Sequence, residues 1–202
     1  IGMEFFNANG PQGVAKVADV GLPIFLDLKL HDIPNTVAGG IRGLLPLGLA
    51  ITNIHAAGGA AMMRAAADEA AKAGTNRPKI IGVTMLTSLD ATDLAATGIA
   101  GTPAEQVVRL AKLAQASGLD GVVCSAHEIE PLRRALGKDF MVVVPGIRPA
   151  EAALADQKRV MTPREALALG ADILVIGRPI TGAADPAAAA RAIRDDLFPA
   201  AA

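Results

Sequence analysis

The sequence has 202 residues, 51% hydrophobic and 19% charged, which is enough apolar material for one substantial core and excludes a disordered protein. A formal net charge of -1, scattered Lys and Arg residues and only 2% aromatic residues exclude the basic, aromatic surface typical of nucleic-acid binding. A single cysteine excludes an internal disulfide, no apolar run reaches the roughly 20 residues that span a bilayer, and no signal-peptide pattern opens the chain, so we expect one soluble, cytoplasmic domain over residues 1–202.

Short β-branched runs alternate along the chain with Ala- and Leu-rich stretches, a pattern typical of repeated βα units on a parallel sheet. The opening residues 1–6 are interpreted as the tail of a strand, and a helix is predicted over 12–20. The later predicted elements are, in chain order, strand 24–29, strand 51–55, helix 60–73, strand 80–86, helix 104–117, strand 121–125, helix 128–136, strand 140–145, helix 163–169, strand 173–177 and helix 186–197. Several of these helices begin with Pro after Thr or Asp, which favours a helix start.

Polar residues follow almost every predicted strand, as expected where barrel loops build one active-site face. We therefore predict an α/β fold of the (β/α)8 TIM-barrel class. Six complete strands and one partial strand are too few for eight, and the chain begins with Ile1 rather than Met. We expect the first strand and part of the second to be absent from this sequence. An open doubly wound sheet is the alternative architecture.

Residues 25–36 contain the charged segment most informative about chemistry. Side chains two residues apart share one face of an extended strand, so Asp27 and Lys29 should both point into the barrel mouth. Asp32 lies beyond the strand, in the turn before Pro34. An isolated Asp-x-Lys pair is most simply a surface ion pair at a strand end, because short motifs are weak evidence. The surrounding sequence reverses that interpretation.

Asp27-x-Lys29-x-x-Asp32, followed by Ile-Pro-Asn-Thr at 33–36, closely resembles the signature of orotidine 5′-monophosphate decarboxylases. Further blocks similar to the family, in family order, are 53–59, 83–88, 145–149, 156–159 and 177–181. Residues 1–6 also match. The Lys that the family places immediately before this block, and the first-strand Asp that holds the substrate ribose, fall outside the sequence.

The resemblance implies decarboxylation of orotidine 5′-monophosphate to uridine 5′-monophosphate and CO2, the last step of de novo pyrimidine nucleotide synthesis, with no cofactor and no metal. Loss of CO2 leaves electron density on C6 that the ring cannot delocalise, so an ammonium must lie close to it. Lys29 is our candidate for that charge and for the proton donor to C6. By the resemblance, Asp27 abuts the substrate carboxylate, and Asp32 serves the neighbouring subunit of a homodimer with shared sites.

A phosphorylated substrate also needs an anion site, which barrels commonly place after the last two strands. Arg148 and Arg178 follow two late predicted strands, and Gly177 would let a phosphate approach the backbone. The resemblance adds Gln157 as a phosphate contact and Thr87 as a contact to the pyrimidine end. Thr36, within the signature block, is a further predicted substrate contact.

Two other functions stay open at this point. A metal-dependent sugar-phosphate decarboxylase or aldolase of the same superfamily shares Asp-x-Lys-x-x-Asp but needs acidic magnesium ligands, and residues 33–36 and 156–159 favour the nucleotide enzyme instead. The chain could also be a noncatalytic phosphate-binding barrel or an incomplete fragment. For His55 and Cys124 we predict structural roles, and His127 beside Glu128 resembles a metal pair only superficially.

Overall fold

A parallel six-stranded sheet with flanking helices forms the framework of the computed structural model, which describes residues 1–149 and 161–199. The strands are β1 (Phe25–Leu30), β2 (Ile51–His55), β3 (Lys79–Val83), β4 (Gly121–Val123), β5 (Met141–Pro145) and β6 (Ile173–Val175). The α-helices are α1 (Met3–Ala18), α2 (Pro34–Leu44), α3 (Gly59–Ala71), α4 (Ala91–Ala96), α5 (Pro103–Ala116), α6 (Ile129–Leu136), α7 (Pro163–Ala168), α8 (Arg178–Thr181) and α9 (Pro186–Leu197).

The strand order is sequential, β1-β2-β3-β4-β5-β6, and every neighbouring pair is parallel. Crossovers of one hand between successive strands keep the helices on one face, so the sheet winds in a single direction. A doubly wound sheet would reverse its strand order part of the way along. The alternative architecture is therefore wrong, and the described strands form a curled half-barrel.

Successive residues along a strand point to opposite faces of the sheet, and each face carries its own apolar layer. Ile80 of β3 and Val122 of β4 belong to the buried layer that the helices cover. Ile81 and Val143, each one residue further along than a helix-facing residue, lie on the opposite face with Ile51. This second face is the interior of the half-barrel, where side chains other than Val, Ile and Leu need a special reason.

The five helices predicted from residue 60 onward were accurate to within two residues at either end, and capping boxes explain the starts of α5 and α7. Thr102 and Thr162 each accept a hydrogen bond from the backbone N–H three residues on, at Glu105 and Glu165, and those glutamates bond back to the threonine N–H. Pro occupies the first helical position in α5, α7 and α9. These boxes satisfy helix N–H groups that have no partner inside the helix.

Of the described helices, none is long and apolar enough to cross a membrane.

The prediction of a strand tail over residues 1–6 is wrong beyond Gly2. Gly2 forms an isolated parallel bridge with Asp27, and the Asp27 N–H donates to the Ile1 carbonyl at 2.8 Å. Helix α1 then begins at Met3, nine residues before the predicted helix start, and is interrupted where Gly10 adopts φ 63°. An Ile-x-Met-x-Phe-Phe run suits a strand or an amphipathic helix, so its alternation could not choose between them.

Candidate active site

The carboxyl-terminal half of β1 departs from regular strand geometry. Phe25 pairs with Ile51 and Leu26 with Thr52, but the next register pair is Leu30 with Ile54. Residues 27–29 therefore lie opposite the single residue 53, which makes this stretch a bulge. Bulges bend a strand and redirect its side chains, and they are common next to active sites.

Lys29 lies within this bulge with φ 53°, and no other non-glycine residue in the described ranges has a positive φ. Holding an L-residue in that sparsely populated conformation costs about 1–3 kcal/mol and needs surrounding contacts to maintain it. One such contact is the hydrogen bond from the Lys29 N–H to Asn53 Oδ1, at 2.8 Å. The strained residue is thus anchored to the neighbouring strand.

The bulge brings two opposite charges together. Lys29 Nζ donates to Asp27 Oδ1 at 2.7 Å, and Asn53 Nδ2 donates to the same oxygen at 2.6 Å. The side chains of Lys29 and Asp27 are 33% and 26% exposed, so the pair remains open to a ligand. The prediction that Asp27 and Lys29 share one face is confirmed, because the two side chains meet while Leu28 between them packs in the core on the other side of the strand.

Two imidazole rings lie next to this pair. The ring centroids of His31 and His55 are 5.3 Å apart, with their planes tilted by 35°. Burial lowers the pKa of His55 most, and the charges of His31 and Lys29 lower it further, whereas Asp27 opposes them. His55 thus favours its neutral form beside the Lys29 ammonium.

The segment after β1 places Asp32 differently from the pair. Residues 32–36 are all exposed, and the side chain of Ile33 is 67% exposed. Asp32 Oδ1 accepts a hydrogen bond from the Ile33 N–H at 2.6 Å, and Asp32 has no salt bridge to any described residue of its own chain. The carboxylate of Asp32 is therefore available on the surface of the chain. Thr36 is likewise exposed, in the first turn of α2.

The predicted phosphate and pyrimidine contacts follow the carboxyl ends of three other strands. Arg148 is half-buried after β5, where Gly146 turns the chain with φ 76°. Gly177 and Arg178 lie at the start of α8, directly after β6, and Arg178 is exposed. Thr87 is exposed in the turn after β3. Parallel strands bring these ends to one edge of the sheet, whereas Gln157 lies outside the described residues.

Asn53 is the site residue that sequence reasoning did not assign. It falls within the block 53–59 without a role of its own there, although it contacts both Asp27 and Lys29. The signal that could have found it was an amide in the middle of an apolar strand, Ile-Thr-Asn-Ile-His. Buried amides need hydrogen-bonding partners, so this position pointed to a polar neighbour facing it.

Several other polar residues have structural roles. The Cys124 thiol is buried in the core, and burial raises its pKa, so the prediction of core filling is confirmed. Glu128 Oε2 accepts from the Ser125 N–H at 2.7 Å and caps a helical turn. Among residues 1–149 and 161–199, no group of three or more His, Cys, Asp or Glu side chains is arranged to hold a metal ion.

A cavity of about 540 Å³ lies at the opposite edge of the sheet, lined by residues including Lys79, Asp120 and Asp172. These residues begin or precede strands. Asp120 and Asp172 accept hydrogen bonds from backbone N–H groups and pair with Arg77 and Arg133. The amino edge of such a sheet contributes stability, while chemistry concentrates at the carboxyl edge. We therefore place the candidate site at the carboxyl edge and not in this cavity.

A parallel β/α half-barrel with a charged, strained cluster at the carboxyl edge of its strands belongs to the class of barrel enzymes that carry their sites on these loops. A family model described as the orotidine 5′-phosphate decarboxylase / HUMPS family matches residues 1–193. The chain belongs to this family.

Relatives support this membership over nearly the whole chain. The orotidine 5′-phosphate decarboxylase of Rhodospirillum rubrum is 57% identical over 202 residues, covering 98% of this chain and 82% of the relative. That of Paramagnetospirillum magneticum is 56% identical over 201 residues, covering 98% and 86%. The crystal structure of the Lactobacillus acidophilus orotidine 5′-phosphate decarboxylase is similar with a TM-score of 0.85 and 42% identity, covering 98% of this chain and 85% of that one.

The histidine pair generates a pH prediction. We expect the pKa of His55 to lie below its ordinary value of 6.5 and to rise in His31→Asn, because that change removes a ring whose charge opposes protonation of His55. NMR titration of the imidazole carbons measures it. His127→Asn is the matched control, since His127 lies in the separate turn Ala126–Glu128. An unchanged His55 pKa in His31→Asn would contradict the coupling.

Proposed function

We propose that this chain decarboxylates orotidine 5′-monophosphate to uridine 5′-monophosphate and CO2. The observation that carries the proposal is the Lys29–Asp27 pair, joined at 2.7 Å and partly exposed at the carboxyl edge of β1. Family membership and relatives at 56–57% identity that bear this enzyme's name support it. We also infer that the six strands form part of a (β/α)8 barrel.

The chemistry requires a fixed positive charge at C6. As the bond from C6 to the carboxylate breaks, CO2 leaves and the electron pair stays on C6 in an orbital that the ring cannot stabilise. The Lys29 ammonium stabilises this charge and then transfers a proton to C6, after which solvent reprotonates the amine. Two unit charges about 4 Å apart interact by about 4 kcal/mol at an effective dielectric of about 20, so a preorganised ammonium contributes strongly to catalysis.

Asp27 holds that ammonium in place and lies where the substrate carboxylate would approach. Its Oδ1 accepts from both Lys29 and Asn53, while Oδ2 has no hydrogen bond to a described residue. The substrate carboxylate loses its negative charge as CO2 departs, which relieves its repulsion from the Asp27 carboxylate. This relief favours the transition state over the bound substrate. Asp27 therefore acts both on Lys29 and on the leaving group.

Asp32 completes the site of a second subunit in our proposal, within a homodimer. Its exposure and its lack of a salt bridge to a described residue of its own chain support an intermolecular role. A two-fold dimer would exchange the segment 31–36 in both directions and so build two composite sites. The exposed Ile33 beside it supplies apolar surface for such a contact.

The substrate phosphate is assigned to the loops after β5 and β6. Arg148 and Arg178 supply forked, permanently charged donors. At Gly177 no described atom lies within 4 Å of the position that a Cβ would occupy, so the backbone admits an oxygen closely. Thr36 and Thr87 are assigned to the rest of the nucleotide, and Gln157 to the phosphate.

Neither of the two other functions is favoured. The sugar-phosphate enzyme and the noncatalytic barrel both lose support because the relatives named above are orotidine 5′-phosphate decarboxylases that match nearly the whole chain.

The direct test is an ultraviolet assay of orotidine 5′-monophosphate consumption. The family pattern includes a Lys and an Asp that residues 1–202 do not contain, so the assay compares the 202-residue chain with a form extended by the amino-terminal segment of the Rhodospirillum rubrum relative. We expect turnover at least in the extended form, unchanged after exhaustive chelation. Activity that is lost on chelation and restored by magnesium would favour the sugar-phosphate enzyme, and no turnover in either form would reject the proposal.

The two ends of the substrate should respond to different substitutions. Lys29→Ala should abolish turnover while uridine 5′-monophosphate still binds, because Lys29 acts where charge develops. Arg178→Ala should weaken nucleotide binding by about 10-fold or more, since a charged hydrogen bond contributes about 1.5–3 kcal/mol. Calorimetry with the product and steady-state kinetics separate the effects. Near-normal turnover in Lys29→Ala would contradict its assignment as proton donor.

Mixing two inactive variants tests the shared site. In a dimer of one Lys29→Ala chain and one Asp32→Ala chain, one site carries both substitutions and the other carries neither. Random exchange of equal amounts makes half of the dimers mixed, so activity should recover to about a quarter of normal. Native mass spectrometry verifies the exchange. Verified exchange without recovery would show that Asp32 serves its own chain.

A further inference from the structure

Asn53 contacts both members of the charged pair in the β1 bulge. Its side chain is buried, with the residue 1% exposed, and it faces the bulge in β1 from the middle of β2. It contacts the two charged residues through different groups, the Asp27 carboxylate and the Lys29 backbone. We infer that Asn53 is a positioning residue that sets the geometry of the Asp27–Lys29 pair, an inference that rests on the proposed function.

The chemistry of an amide explains why this position carries Asn. Its oxygen must accept, because the Lys29 N–H is a donor, and its nitrogen must donate, because the Asp27 carboxylate is an acceptor. Only one orientation of the amide satisfies both partners, so the network itself defines it. A leucine of similar volume offers neither group, and an aspartate offers the required donor only when protonated.

Each of the two hydrogen bonds controls a different degree of freedom. The bond to the Lys29 N–H ties down the residue whose φ of 53° directs its side chain. The bond to Asp27 Oδ1 holds the carboxylate from a second direction, so that it cannot turn with the lysine alone. Reacting groups that move by about 1 Å lose on the order of 100-fold in rate. Loss of Asn53 should therefore lower kcat rather than raise KM.

Asn53→Asp tests the hydrogen bonds separately from space filling, because a residue that only fills space would not change the pH dependence of kcat. A second carboxylate beside Asp27 raises the pKa of the pair, because two adjacent negative charges disfavour ionisation of both. Once protonated, the new side chain donates through its O–H and accepts through its carbonyl, as Asn53 does. We expect kcat of N53D, relative to that of the original chain, to be low at about pH 8 and to rise as pH falls.

Asn53→Leu removes both hydrogen bonds and should lower kcat by about 10- to 100-fold while product binding persists. The matched control is Thr52→Val. Thr52 is equally buried on the same strand and also bonds to β1, through its hydroxyl to the Leu26 carbonyl at 3.0 Å, but its side chain has no hydrogen bond to Asp27 or Lys29. T52V should lower the thermal midpoint without lowering kcat or altering the pH profile.

Hydrogen exchange of the Lys29 amide gives a readout that needs no activity. We expect protection in the original chain and in T52V, and faster exchange in N53L. An active original chain whose N53L and N53D variants match T52V in kcat, pH profile and exchange would overturn the role of Asn53. An inactive original chain would reject the proposed function instead. The exchange comparison would still decide whether Asn53 holds Lys29, because equal exchange in the original chain, T52V and N53L would reject that role.

Discussion

The site depends on the hydrogen bonds that the Asp27 carboxylate accepts. One of its oxygens accepts from both the Lys29 ammonium and the Asn53 amide. Opposite charges on an inward sheet face are stable only when they are paired and hydrogen-bonded. Three features bring the pair together: the bulge in β1, the left-handed backbone conformation of Lys29 and the buried amide of Asn53. The pair is nevertheless partly exposed, so a substrate can reach it.

The rest of the sheet supplies rigidity around that strained point. Ile51, Ile81 and Val143 fill the interior below the charged pair, and a larger helix-covered core lies behind the strands. At the amino edge, Arg77–Asp120 and Arg133–Asp172 tie strand ends to their neighbours. Separating these stabilising contacts from the carboxyl edge lets the site hold a strained backbone without loosening the fold.

The charged signature predicted correctly that Asp27 and Lys29 would meet, but the backbone path between them is not that of a regular strand. Three residues of β1 oppose one residue of β2, and Lys29 adopts a positive φ, although the alternation of faces is kept: Leu28 packs in the core with Val14 of α1 while Asp27 and Lys29 meet on the other face. β3 also ends at Val83, three residues before its predicted end. A period of two describes a regular strand and carries no information about where its register shifts.

By itself the sequence determined the order of the βα units, the helix starts at Thr102 and Thr162, and the charged segment that carries chemistry, because capping boxes and strand patterns act within a few residues. The tertiary structure alone decided that Met3 begins a helix, that Asn53 reaches Asp27 across 26 positions of sequence, and that the rings of His31 and His55 meet. Those contacts join separate strands, so they depend on a register that only the assembled sheet establishes.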